Sequence, residues 1–303
     1  MLRSLLLYLS RQPWLRHWTE TSPAADRLTS RFIAGHTLER EIAVCQRLNR
    51  DGYLASLDHL GESVTSLEEA GSSRDAYLSA LDRVAELGLQ ATVSVKLTQL
   101  GLDFSETECE NNVDRLVRRA SEIGTAVEID MESSAYVDRT LALVARLHAR
   151  YGHVRAVIQA YLYRSQSDIE SLCRLRIPVR LCKGAYKESS DVAFPKKQDV
   201  DRNYVHLMQT LFRDGVNPAI ASHDERIVRQ AIELVQEQKL GSDRFEFQML
   251  YGISRDLQRR LTAEGYRLRL YVPYGDAWYP YFMRRLAERP ANVLFLMRNL
   301  MKS

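Results

Sequence analysis

The sequence predicts an α/β fold, a single closed barrel of alternating strands and helices, and three observations lead to it. Short runs rich in Val, Ile and Leu alternate with longer segments of helical period, the pattern of βα units around a parallel sheet. About eight such runs occur, at 53–58, 91–97, 125–130, 154–162, 177–182, 217–222, 245–250 and 267–273, and eight units close a barrel. The chain has 303 residues, 45% of them hydrophobic and 27% charged, with no low-complexity linker to divide it, which suits one domain with a large core.

The intervening segments 74–87, 108–123, 135–151, 167–174, 200–214, 225–239 and 254–264 are amphipathic at helical spacing. Gly88, Gly124, Gly152, Gly215 and Gly265 follow five of them as helix stops. Residues 21–50 read as additional helix before the barrel and 61–73 as a polar connection. The expected organisation is therefore an N-terminal helical segment, 1–50, and a barrel, 51–303. The apolar run Leu5 to Leu9, between Arg3 and Arg11, is too short for a signal peptide or a membrane span. With Trp14 and Trp18, this start can lie on a membrane surface or pack on its own domain.

A net charge of +3 provides no field to hold a polyanion, so no nucleic-acid partner is expected. Cys45, Cys109, Cys173 and Cys182 show neither zinc-site nor disulfide-framework spacing, so no metal is expected and a reducing cytoplasm suits them. GxGxxG, P-loop, HExxH and GxSxG motifs are all absent, which removes the usual Rossmann, nucleotide-hydrolase, zinc-protease and serine-hydrolase readings.

Barrel strands are buried on both faces, so polar residues at their carboxyl ends need a separate reason. In the run 92–97, alternation sends Val93, Val95 and Leu97 towards the helices and turns Ser94 and Lys96 inward. Asp130, Gln159, Arg180 with Lys183, and Ser222 with His223 end later strands in the same manner. Any one of these could simply face water or pair with a neighbour. Gathered at one mouth they are harder to dismiss, because an isolated charge turned into a barrel is costly.

A last helix, starting near Asp276 or Pro280, places Tyr281, Arg284, Arg285 and Glu288 on one face by their i, i+3, i+4, i+7 spacing. Phe282, Leu286 and Val293 form a separate packing stripe. Paired guanidinium forks suit a carboxylate, although the same spacing also fits an exposed face with an Arg284–Glu288 pair.

These residues resemble proline dehydrogenase. The matching segments run in order: Ser94-Val95-Lys96-Leu97, Glu128-Ile129-Asp130-Met131-Glu132, Gln159-Ala160-Tyr161-Leu162, 180–186, 245–252 and the YxxRRxxE helix 281–288. The resemblance implies a distorted (βα)8 TIM barrel with extra N-terminal helices and the last helix over the mouth. It implies FAD held by Met131, Gln159, Arg180, Lys183, Gly184, Ala185, Ser222, His223 and Glu288, with Arg180 near flavin N5. Lys96, Arg284 and Arg285 would hold the carboxylate of L-proline, while Tyr271, Tyr281, Leu250 and Tyr186 enclose its ring. Asp130 and Arg180 would be the catalytic pair. Two positions depart from the family pattern, Lys187 where an aromatic stands in the bifunctional enzymes and Arg289 where asparagine is frequent. The implied reaction forms Δ1-pyrroline-5-carboxylate and passes electrons to a quinone, which brings in peripheral contact with the inner face of the cell membrane.

Three rivals remain at this level. A folate reductase-like flavin barrel would use a nicotinamide donor at the same mouth. A Schiff-base aldolase would use Lys96 or Lys183 as nucleophile. A membrane-bound scaffold would need no polar mouth at all.

Overall fold

The computed structural model describes residues 31–61, 64–279, 281 and 283. Among these residues, the first helix, α1 (Leu38–Arg50), precedes eight strands: β1 (Leu54–His59), β2 (Ala91–Val95), β3 (Val127–Ile129), β4 (Val154–Gln159), β5 (Val179–Cys182), β6 (Ala219–Ala221), β7 (Glu246–Leu250) and β8 (Leu268–Tyr274). Seven helices alternate with them: α2 (Leu67–Glu86), α3 (Glu106–Glu122), α4 (Val137–Tyr151), α5 (Ser165–Arg174), α6 (Lys197–Asp214), α7 (Glu225–Glu237) and α8 (Arg255–Ala263). All neighbouring strands are parallel, and β8 closes on β1 with Ser56 beside Tyr271 and Asp58 beside Pro273. The predicted barrel is the observed one.

Each strand buries one side chain set against the helices and the other inside the barrel. The outer set carries the apolar core: Leu57, Val93, Val95, Val127, Ile129, Leu181, Phe247 and Val272 are completely buried with helix residues such as Tyr77, Leu116 and Tyr204. Burying a side chain of this kind is worth about 1.5–3 kcal/mol, which explains why the runs were legible. After β8, helical backbone resumes only at Trp278, and the seam between β8 and β1 is covered by the segment that precedes β1. There α1 packs against both strands through Ile42, Cys45 and Leu48.

Two expected boundaries are corrected. Residues 31–37 leave the helical path, because Gly35 (φ +146°) bridges Tyr274 in parallel and the Ala34 N–H donates to Pro273 O at 2.9 Å. Among the described residues, helix therefore begins at Leu38. The polar stretch 61–73 is not all connection: Ser66 caps α2 by accepting from Glu69 N at 3.1 Å, and Ala70, Ser73, Tyr77 and Ala80 form its buried face. Gly71, Ser72 and Ser73 disguised a helix held by tertiary burial. Of the expected glycine stops, Gly88, Gly124, Gly152 and Gly265 take left-handed backbone as anticipated. Gly215 instead closes α6 with extended backbone.

Glu41 of α1 is completely buried, and both of its carboxyl oxygens lack a well-formed hydrogen bond. Burial, aided by the nearby Asp58 carboxylate, pushes its pKa well above the usual range. A raised folded-state pKa in an acid means stability is lost as pH rises from the unfolded value, about 4.3, towards the folded one, by about 1.4 kcal/mol per pH unit. Glu41→Gln removes that proton linkage. Its melting temperature is expected to exceed the parent's by a margin that widens from pH 5 to pH 8; a variant less stable than the parent at pH 8 would contradict this reading.

Candidate active site

Side chains turned inward at the carboxyl ends of β2, β3, β5 and β8 meet at Asp130, one residue past β3. Ser94 Oγ donates to Asp130 Oδ1 at 2.9 Å, and Tyr271 OH donates to Oδ2 at 3.0 Å. Arg180 Nη2 donates to Asp130 Oδ1 and to Ser94 Oγ, the latter at 3.1 Å. The Arg180 guanidinium also lies over the Tyr271 ring, 5.5 Å from its centroid. Lys96 Nζ approaches Asp130 Oδ2 at 3.9 Å and Asp58 Oδ1 at 3.4 Å. One carboxylate thus ties together residues from four strands.

Burial would lower the Arg180 pKa, but the adjacent Asp130 and Glu128 carboxylates more than offset it, and the net shift is upward. Arg180 is a permanent cation here. Burial, with Asp130 and Asp58 nearby, drives the Tyr271 phenol well above its ordinary value, so it serves as a hydrogen-bond donor. Asp58 is raised by burial while Lys96 pulls it back. Asp58 was not singled out from sequence, although it stands next to last in β1 and Asp130 directly follows β3. The same strand-end rule would have found it.

Gln159, at the end of β4, is engaged with backbone: its amide nitrogen donates to Met131 O at 3.2 Å and Glu132 O at 2.8 Å, and its oxygen accepts from Ala185 N at 3.0 Å. It fixes the turns after β3 and β5 against each other. Glu132 in turn caps the short turn Thr98–Leu100 by accepting from Thr98 Oγ1 at 2.6 Å and Thr98 N at 3.1 Å. Gly184 (φ +130°) passes so close to Tyr161 that a Cβ would sit 2.4 Å from its ring, so only glycine fits.

Lys183 lies to one side, with Nζ 2.5 Å from Asp201 and 3.0 Å from Asp224. Burial opposes ionisation of Asp224, but hydrogen bonds from Lys183 and Arg226 hold its carboxyl down at about 2. Ser222 Oγ accepts from Asp224 N at 3.1 Å, and His223 Nε2 accepts from Leu250 N at 2.9 Å. Ser222, His223 and Lys183 therefore form a flank beside the Asp130 cluster. Tyr186 is half-buried in the loop after β5.

Helical backbone resumes at Trp278. Tyr281 is buried in a cluster with Phe32, Ile33, Leu60, Ile253, Trp278, Tyr279 and Met283, against which Leu250 packs from the end of β7. This cluster brings Tyr281 and Leu250 together as neighbours. Arg284, Arg285 and Glu288 lie outside the described residues, as does the Trp-bearing start.

Two observations test the fit of a flavin to these residues. Arg180 Nε is buried and makes no hydrogen bond within the chain, so one donor of the guanidinium is unspent. In the turn after β5, Gly184 and Ala185 are exposed, with little side chain in the way. Both suit a planar cofactor with acceptor atoms along one edge, and the residues present fit FAD. Lys96 lies between Asp58 and Asp130, and Lys183 between Asp201 and Asp224.

A closed parallel barrel with a charged, hydrogen-bonded cluster at its carboxyl end defines a TIM-barrel enzyme. The family model described as proline dehydrogenase matches residues 42–298. Over 303 residues, all of both chains, the sequence is 40% identical to proline dehydrogenase 1 of Bacillus subtilis. It is 41% identical to the proline dehydrogenase of Deinococcus radiodurans, across 91% of this chain and 90% of that one. A crystal structure of proline utilization A (PutA) from Bdellovibrio bacteriovorus, inactivated by N-propargylglycine, superposes with a TM-score of 0.81 at 25% identity, covering 87% of this chain and 33% of that one. The chain belongs to the proline dehydrogenase family. Its activity is the oxidation of proline.

Proposed function

We propose that this chain oxidises L-proline to Δ1-pyrroline-5-carboxylate with FAD as its cofactor and a quinone as the final acceptor, the first step in degrading proline to glutamate. The observation that carries this reading is the Asp130 cluster, which sets a fixed cation, Arg180, and a phenol, Tyr271, beside an ammonium, Lys96. FAD, when bound, supplies the two-electron acceptor that takes the C5 hydrogen of proline as hydride at N5.

The chain's own groups bind and orient. Lys96, with Arg284 and Arg285, holds the substrate carboxylate, and guanidinium forks match its two oxygens. Tyr271, Tyr281, Leu250 and Tyr186 enclose the ring and exclude water. Asp130 keeps Tyr271, Arg180 and Lys96 in register, which fixes the ring so that its C5 face is presented for transfer. Arginine cannot take the ring-nitrogen proton because its pKa exceeds about 12, so Arg180 acts by charge and position. Met131, Gln159, Arg180, Lys183, Gly184, Ala185, Ser222, His223 and Glu288 would hold the cofactor.

Quinones dissolve in lipid, so the reading includes a cytoplasmic protein in peripheral contact with the membrane. No helix among the described residues is long and apolar enough to cross one. Incubation with proline and a short-chain quinone tests the proposal: the product should be lighter than proline by two hydrogens, with one quinone reduced per proline consumed. Reduction of quinone by NADH in place of proline would favour the nicotinamide-dependent rival.

A further inference from the structure

Beneath the mouth, the barrel interior is ionic where a barrel of this kind is ordinarily filled by Val, Ile and Leu. Glu128 of β3, completely buried, is its hub. It accepts from Thr92 Oγ1 at 2.8 Å, from Gln248 Nε2 at 3.0 Å and from Arg180 Nη1 at 3.1 Å. Arg155 Nη1 reaches it at 3.4 Å. Glu246 of β7 completes the layer, accepting from Arg155 at 2.5 Å and Arg269 at 2.8 Å. Arg155, Arg180 and Arg269 are thereby balanced by Glu128, Glu246 and Asp130.

Well-packed apolar residues often replace such networks with no loss of stability, so stability is a weak reason for this one. The geometry at Arg180 supplies a stronger one. Its Nη2 edge faces the mouth, on Asp130 and Ser94, while Nη1 faces the floor, on Glu128 and Gln248 at 3.3 Å. Asp130 has other partners, Tyr271 and Lys96, and its side chain is 14% exposed against none for Glu128. The floor contact is therefore the one that stays fixed when the mouth fills.

We infer that Glu128 is a positioning residue, which pins Arg180 from below and, through its buried negative charge, lowers the reduction potential of the flavin held against that arginine. The inference rests on the FAD reading above. Reduction adds negative charge to the flavin, and a buried carboxylate one guanidinium away opposes it in a medium that screens poorly. Removing the charge while keeping the shape makes reduction easier.

The test is the midpoint potential of the flavin in the purified holoenzyme, by dye-equilibrated titration, for the parent, Glu128→Gln and Glu128→Asp. Glu128→Gln is expected to favour the reduced flavin at least tenfold, about 30 mV upward for a two-electron couple. Glu128→Asp keeps the charge and is expected to stay near the parent. An unchanged potential in Glu128→Gln overturns the inference. An upward shift of tenfold or more in Glu128→Asp also overturns it, because it assigns the effect to lost packing, and this arm is read against the parent alone if the Gln variant does not fold. A parent chain that binds no flavin overturns the cofactor reading itself, and is seen before either variant is measured.

Discussion

Arg180→Met is expected to slow the reduction of the bound flavin by proline by about a hundredfold to a thousandfold, the loss typical when one preorganised electrostatic donor is removed from an active site. Met keeps the unbranched stem of the side chain and removes its charge and all its donors. Asp130 and Glu128, which now share this cation, are left facing a neutral group inside the barrel. Breaking a buried pair on one side costs about 3–5 kcal/mol, so a lower melting temperature should accompany the kinetic defect. Arg180→Lys restores charge without the planar fork and cannot serve Asp130, Ser94, Glu128 and Gln248 together, so only partial recovery is expected. Anaerobic stopped-flow reduction reads the first effect and thermal unfolding the second. Reduction at the parent's rate in Arg180→Met would remove Arg180 from the chemistry.

The second large effect is at the carboxylate clamp. Lys96→Met should raise the proline concentration needed for half-maximal reduction tenfold or more, because a charged hydrogen bond is worth about 1.5–3 kcal/mol. The same change strands Asp58, which is buried and 3.4 Å from the ammonium. Burial already raises the Asp58 pKa and Lys96 counteracts it, so losing Lys96 raises it further. An acid whose folded pKa is raised destabilises the fold as pH climbs from its unfolded value of about 3.9 towards the folded one. The stability deficit of Lys96→Met is therefore expected to grow with pH and to shrink when Asp58→Asn is added. Proline affinity should not return with it. If the double variant recovers affinity as well, Lys96 acts only as a counter-ion to Asp58 and the clamp assignment fails.

The fold was legible because parallel barrel strands, apolar on the helix-facing side, read as short hydrophobic runs between amphipathic helices. The mouth was legible for the opposite reason: Lys96, Asp130, Gln159 and Arg180 interrupt such runs at their carboxyl ends. Asp58 stands at the carboxyl end of β1, next to His59, and could have been found by the same rule. Glu128, Glu246, Arg155 and Arg269 lie in strands rather than at their mouth ends, so a reading confined to strand ends passed over them, although the alternation in Glu246-Phe247-Gln248 and Arg267-Leu268-Arg269 turns every second residue inward. What no pattern conveys is the pairing. Arg180 meets residues 50, 52, 68 and 86 positions away, and only barrel closure brings them together. Lys183 likewise pairs with Asp201 and Asp224, 18 and 41 positions away.

The central claim is that the polar mouth exists to hold a flavin and present proline to it. The visible absorption spectrum of the purified protein, recorded before and after anaerobic addition of proline, tests this most directly. Two flavin bands that bleach with proline and return when a quinone is added are the predicted result. A colourless protein that takes up no FAD when the cofactor is supplied would contradict it.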